Sequence, residues 1–218
     1  MNQTKVTFSI MKPVARALEK AMAKNFLKRD PFLNHLISVE LAHISEALEG
    51  RKNSTTARAF IDKSLDKKRA TVALTVVLDK SVAGRLSSIT KKHVVSRDAL
   101  INRILLFMLF GHSQLLKLEI QPLARDVESF ANYAEGVPTS PVSALAYIMD
   151  DPLFLIREDL RAIGMNMYLI DLDSVADGLN AKTACCLEDK DLPNSNPELD
   201  ELFDDPTIFD LPERIPNE

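Results

Sequence analysis

The stretch KVTFSI, residues 5–10, alternates strictly between polar and apolar side chains. A period of two places Val6, Phe8 and Ile10 on one face of a strand and Lys5, Thr7 and Ser9 on the other. A lone strand leaves backbone groups unpaired along both edges, so this one requires a partner. The chain offers a candidate in VALTVVLD, residues 72–79, where Leu74, Val76 and Leu78 share one face and Ala73, Thr75 and Val77 the other. Two such strands, paired with their apolar faces inward, form a ribbon that turns Lys5, Thr7, Ser9, Ala73, Thr75 and Val77 outward.

The pair of helices after each strand is also repeated. After the first strand, Pro13 suits a first helical turn, and Val14, Leu18 and Met22 recur at a spacing of four. A second helix is expected from Asp30 as cap and Pro31 as first residue, with Leu33, Leu36, Ile37, Leu41 and Ile44 as its apolar stripe and Gly50 as its end. After the second strand, Asp79 is expected to cap a helix carrying Val82, Leu86 and Ile89. Ser96 is expected to cap another carrying Leu100, Ile101, Ile104, Leu105 and Met108, closed by Gly111. The order strand, helix, helix thus occurs twice, at residues 3–48 and 70–111, joined by a linker at 49–69.

This arrangement resembles the ribbon-helix-helix family of DNA-binding proteins, of the Arc, MetJ and CopG type. The resemblance implies a mainly α fold with a two-stranded antiparallel β-ribbon, both ribbon-helix-helix units lying in one chain as a pseudo-dimer. It also implies a tandem DNA-binding domain over 1–112 that inserts the ribbon into the major groove, where each base pair shows a distinct pattern of donors, acceptors and methyl groups. Lys5, Thr7, Ser9, Ala73, Thr75 and Val77 would contact bases. Ala73 and Val77 offer methyl contacts and no hydrogen bonds, so the half-ribbons differ and an asymmetric site is expected. Phosphate contacts would fall to the starts of the second helices, at Lys28, Arg29 and Phe32 and at Ser96 and Arg97, helped by Lys67, Lys68 and Arg69 of the linker. The expected role is a sequence-specific transcriptional regulator, a repressor, on double-stranded DNA, with further copies binding beside it as a homo-oligomer. The family likeness extends to antitoxins and to plasmid-transfer or partition accessory proteins, which stand as alternatives.

Charge follows the same division. Residues 1–112 carry 20 Lys and Arg against 9 Asp and Glu, a net +11, and residues 113–218 carry 7 against 22, a net −15. A basic module facing a polyanion and an acidic segment with another role fit this asymmetry. Residues 113–190 read as an acidic, mostly helical region, with helices expected in TSPVSALAYIMDD and DPLFLIREDLRAIG and a short strand in MNMYLIDLD. Residues 191–218 are rich in proline and acid and are expected to be a disordered tail. There, Leu199, Leu202, Phe203, Ile208 and Phe209 are spaced as contacts for a protein partner, a toxin in the antitoxin reading.

Catalysis and cofactors are not expected. His35, His43, His93 and His112, the pairs Asp150-Asp151 and Asp171/Asp173, and adjacent Cys185 and Cys186 match no catalytic or metal-binding spacing. The cysteines read as small packing residues. No apolar run approaches the roughly 20 residues that span a bilayer, and the N-terminus lacks a secretory pattern, so no membrane partner and a cytoplasmic location are expected.

Overall fold

The computed structural model describes residues 2–65, 71–109, 150–162, 164–170 and 183–187. Its element order is β1 (Gln3–Met11), α1 (Lys12–Lys24), α2 (Arg29–Ala47), α3 (Thr55–Leu65), β2 (Thr71–Asp79), α4 (Lys80–His93), α5 (Arg97–Leu109) and α6 (Phe154–Ala162). The described residues are mainly helical with one two-stranded antiparallel sheet, β1 against β2. The register runs from Gln3 opposite Asp79 to Met11 opposite Thr71, with Thr7 opposite Thr75 at its centre.

Alternation decides which face is buried. Phe8, Ile10, Leu74, Val76 and Leu78 enter one apolar core with Val14, Leu18, Leu36, Leu41, Leu86, Leu100 and Leu105. Each such side chain removed from water contributes about 1.5–3 kcal/mol, enough to hold a ribbon that would be marginal alone. β1 packs on α5 and β2 packs on α2, so each strand lies against the second helix that follows the other strand.

The turn from α1 to α2 places Phe26 at φ +56°, and the turn from α4 to α5 places Val94 at φ +54°. The six-residue bonds Leu27 N–H to Met22 O (2.9 Å) and Val95 N–H to Thr90 O (3.0 Å) close both helix ends, which forces the left-handed residue. Phe26 is 96% exposed, so its ring recovers nothing by packing. Phe26→Gly is therefore expected to stabilise the protein by about 1 kcal/mol, because glycine occupies this region without the Cβ penalty. A rise in Tm in a thermal melt checks it.

Several local expectations are corrected. The linker 49–69 contains α3, whose Ala57, Ile61 and Leu65 pack on Ala99, Ala184 and Leu187. Ser54 Oγ accepts the Ala57 N–H at 2.9 Å and starts that helix. α2 begins at Arg29 rather than Pro31 and ends at Ala47, before Gly50. Asp79 precedes α4 without bonding it through its side chain, since its carboxylate accepts from Asn34 Nδ2 at 3.0 Å. The expected strand in MNMYLIDLD is a turn over Met165–Ile170, because Asn166 Oδ1 accepts the Tyr168 N–H (2.9 Å) and Asn166 O accepts from Leu169 and Ile170. α6 agrees with the helix expected in DPLFLIREDLRAIG, and Gly164 follows it at φ +72°. Gly111, all but the last two residues of TSPVSALAYIMDD and the tail 191–218 lie outside the described residues.

Candidate nucleic-acid interface

The outer face of the ribbon is open. Lys5, Thr7, Ala73 and Thr75 are exposed, and Ser9 and Val77 are half-exposed. Thr7 and Thr75 share a hydrogen bond between their Oγ1 atoms, 3.0 Å apart, at the middle of the face. Such a contact requires the close spacing of a non-hydrogen-bonded pair, which points the backbone groups of odd-numbered β1 residues to the ribbon's outer edge.

Those edges are closed by side chains from α2 and α5. Asp98 Oδ2 accepts the Ser9 N–H at 3.0 Å, Asn102 Oδ1 accepts the Met11 N–H at 2.9 Å, and Asn102 Nδ2 donates to Ser9 O at 2.8 Å. Arg97 Nη2 donates to Thr7 O at 2.8 Å, and its guanidinium lies 5.1 Å from the Phe8 ring centroid. On the other edge Asp30 Oδ2 accepts the Val77 N–H at 3.2 Å, Asn34 Oδ1 the Asp79 N–H at 2.8 Å, and Arg29 Nη2 donates to Thr75 O at 3.0 Å. A free edge exposes a row of donors and acceptors ready to pair with another chain. Here an Arg-Asp-x-x-x-Asn sequence on each helix engages the central part of each edge, at Arg29, Asp30 and Asn34 and at Arg97, Asp98 and Asn102.

The expected phosphate contacts divide into open and enclosed groups. Lys28 and Arg97 are exposed and Arg29 half-exposed, flanking the ribbon at the starts of α2 and α5. Ser96 and Phe32 are turned inward instead. Ser96 is 0% exposed and its Oγ accepts the Ala99 N–H at 3.4 Å, so the hydroxyl is spent on capping α5. Phe32 belongs to the core, and its N–H already donates to Lys28 O. Lys67, Lys68 and Arg69, like Leu199, Leu202, Phe203, Ile208 and Phe209, lie outside the described residues.

Asp30 accepts from the ribbon edge rather than capping its helix as expected, and the edge roles of Asp98, Asn34 and Asn102 leave no trace in strand or helix periodicity. A signal existed, because the Arg-Asp-x-x-x-Asn pattern recurs with the same 68-residue offset that separates Thr7 from Thr75.

Behind the ribbon, segments from the acidic half close over α2 and α5. Arg103 is 1% exposed and donates to Met167 O at 2.6 Å, to Thr183 O at 3.3 Å and to Ile170 O, with Phe107 beneath its guanidinium. Glu40, fully buried on α2, accepts from the Tyr168 hydroxyl and from Arg157, which also pairs with Asp151. His43 Nε2 lies 4.0 Å from Asp151 Oδ2. Burial pushes the Glu40 carboxyl above its ordinary value of 4.5, against the lowering influence of Tyr168, Arg157 and His43. The native state thus binds this proton more tightly than the unfolded chain. Its contribution to stability is complete below the unfolded pKa and is lost as pH rises through the folded one. Lowering pH from neutrality toward 4.5 is therefore expected to stabilise the wild type relative to Glu40→Gln, measured by urea unfolding across that range.

Burial also pushes the Cys185 thiol up to about 12, so it stays neutral near pH 7 and acts as packing. Cys185 and Cys186 are both free thiols. Among the described residues no group of His, Cys, Asp and Glu is arranged to hold a metal, and no helix is long and apolar enough to cross a membrane. Comparison with protein-family models, with curated proteins and with solved structures finds no match for this chain.

Proposed function

We propose that the chain is a sequence-specific DNA-binding regulator, a repressor, built as two ribbon-helix-helix units folded into one pseudo-dimer. The observation that carries this reading is a ribbon with one face buried, both edges engaged by its own helices, and a mostly polar outer face left without an intramolecular cover among the described residues. A two-stranded ribbon fits the major groove. Thr7 and Thr75 hydroxyls donate to or accept from base edges, Lys5 donates to guanine O6 and N7, and Ala73 and Val77 meet thymine methyl groups.

The flanks supply the charge that such docking needs. Arg29 and Arg97, already steered by the ribbon carbonyls, and exposed Lys28 lie where phosphates would run beside the ribbon. Asp30 and Asp98 are a cost in this setting, accepted because they close the strand edges.

Selection of binding sequences from a random duplex pool by the full chain, followed by gel shift, tests the reading. Thr7→Ala with Thr75→Ala is expected to weaken binding to a selected site by about 1–3 kcal/mol for each base-edge hydrogen bond removed, with little change on random DNA. Equal weakening on both DNAs overturns groove reading.

A further inference from the structure

The frame that holds the ribbon and the face it presents do not share one symmetry. Positions 68 residues apart carry identical frame residues: Thr7 and Thr75, Arg29 and Arg97, Asp30 and Asp98, Asn34 and Asn102. The counterpart of Lys5 is Ala73, and that of Ser9 is Val77. In the antiparallel register Lys5 stands opposite Val77, and Ser9 stands opposite Ala73. One end of the reading face therefore carries a cation beside a branched apolar group, and the other a hydroxyl beside a methyl.

Resting on the groove-reading proposal, we infer that the chain reads a non-palindromic DNA site in one fixed direction, and that these four base-facing side chains set the direction. The Lys5 and Val77 end matches a guanine, through O6 and N7, next to a thymine methyl. The Ser9 and Ala73 end matches a thymine methyl next to a base edge that a hydroxyl satisfies. Reversing the complex on the same duplex carries Lys5 to the end read by Ser9 and Ala73, where it meets a thymine methyl in place of the guanine acceptors and its ammonium is left unpaired. A base contact of this kind discriminates by about tenfold or more. The same residue types, Arg, Asp and Asn, hold both strand edges, although Asn102 donates to the Ser9 carbonyl where Asn34 donates to the Asp79 carboxylate.

Exchanging the four residues turns the reading face end for end. Lys5→Ala, Ala73→Lys, Ser9→Val and Val77→Ser together are expected to bind the same selected duplex with comparable affinity, but in the opposite orientation. Orientation is read with an iron chelate on Ala59→Cys, an exposed position on α3, in a Cys186→Ser background. α3 marks one flank, since Arg58 and Asp62 line a cleft with Arg97 and Asp98 beside the start of α5.

DNA cleavage on one flank with the parent chain and on the opposite flank with the exchanged chain is the expected result. Palindromic selected sites, or cleavage that stays on the same flank, overturn the directional inference and leave groove reading standing. Failure to select any sequence overturns groove reading and the inference with it. Should circular dichroism show the exchanged chain unfolded, Lys5→Ala alone decides. It is expected to lose about tenfold discrimination at one end of the site only, and an equal loss at both ends overturns the inference.

Discussion

Replacing Arg103 with leucine is expected to destabilise the protein by about 3–5 kcal/mol, because several enclosed carbonyls lose their donor at once. The side chain leaves α5, is almost wholly enclosed, and supplies donors to the carbonyls of Met167, Ile170 and Thr183. Leucine fills much of the volume but leaves those carbonyls in the interior without these donors, at about 1–3 kcal/mol for each one left unpaired. Arg103→Lys is expected to recover only part of the loss, because a single ammonium cannot reach three acceptors that a planar fork spans. Urea unfolding gives the size of the effect. Amide exchange locates it, with protection lost first over residues 165–170 and 183–187.

The second large effect concerns the ribbon edge. Asn102→Ala is expected to cost about 2–5 kcal/mol, since it orphans the Met11 N–H and the Ser9 carbonyl together. Asn102 is itself fully buried and its bond to the Met11 N–H is enclosed, so water does not replace that bond without opening the core. Asn34→Ala is the matched substitution on β2 and removes the acceptor of the Asp79 N–H, bonded at 2.8 Å. Its smaller expected cost follows from the half-buried setting of that hydrogen bond. Equilibrium unfolding of the two variants, compared with the double variant, shows whether the strand edges are held independently.

Both substitutions probe interactions of a kind that strand and helix periodicity does not reveal. Alternation alone turns Phe8 and Leu74 inward, and the structure buries both. The stripes Val14, Leu18 and Met22 and Leu33, Leu36, Ile37, Leu41 and Ile44 likewise face the core as a helical period requires. Met108 and Ile89 sit at its margin. The spacing Ala57, Ile61 and Leu65 carries the same signal for α3, obscured by the many charges around it. Caps were less legible. Asp30 and Asp79 have the chemistry of a helix start, yet both carboxylates are drawn to the ribbon region, where Asp30 meets the Val77 N–H and Asp79 meets Asn34.

The order of residues is enough to place β1, β2, α1, α2, α4 and α5 and the apolar face of each, because those properties follow from side chains a few positions apart. The destinations of the polar groups emerge only once the chain is folded. Asp98 reaches Ser9 across 89 positions, Arg157 reaches Glu40 across 117, and Tyr168 reaches Glu40 across 128. Apolar burial is non-directional and leaves a periodic trace in any stretch that contributes to it. A buried donor or acceptor must instead find one particular partner, and that partner has no fixed position along the chain.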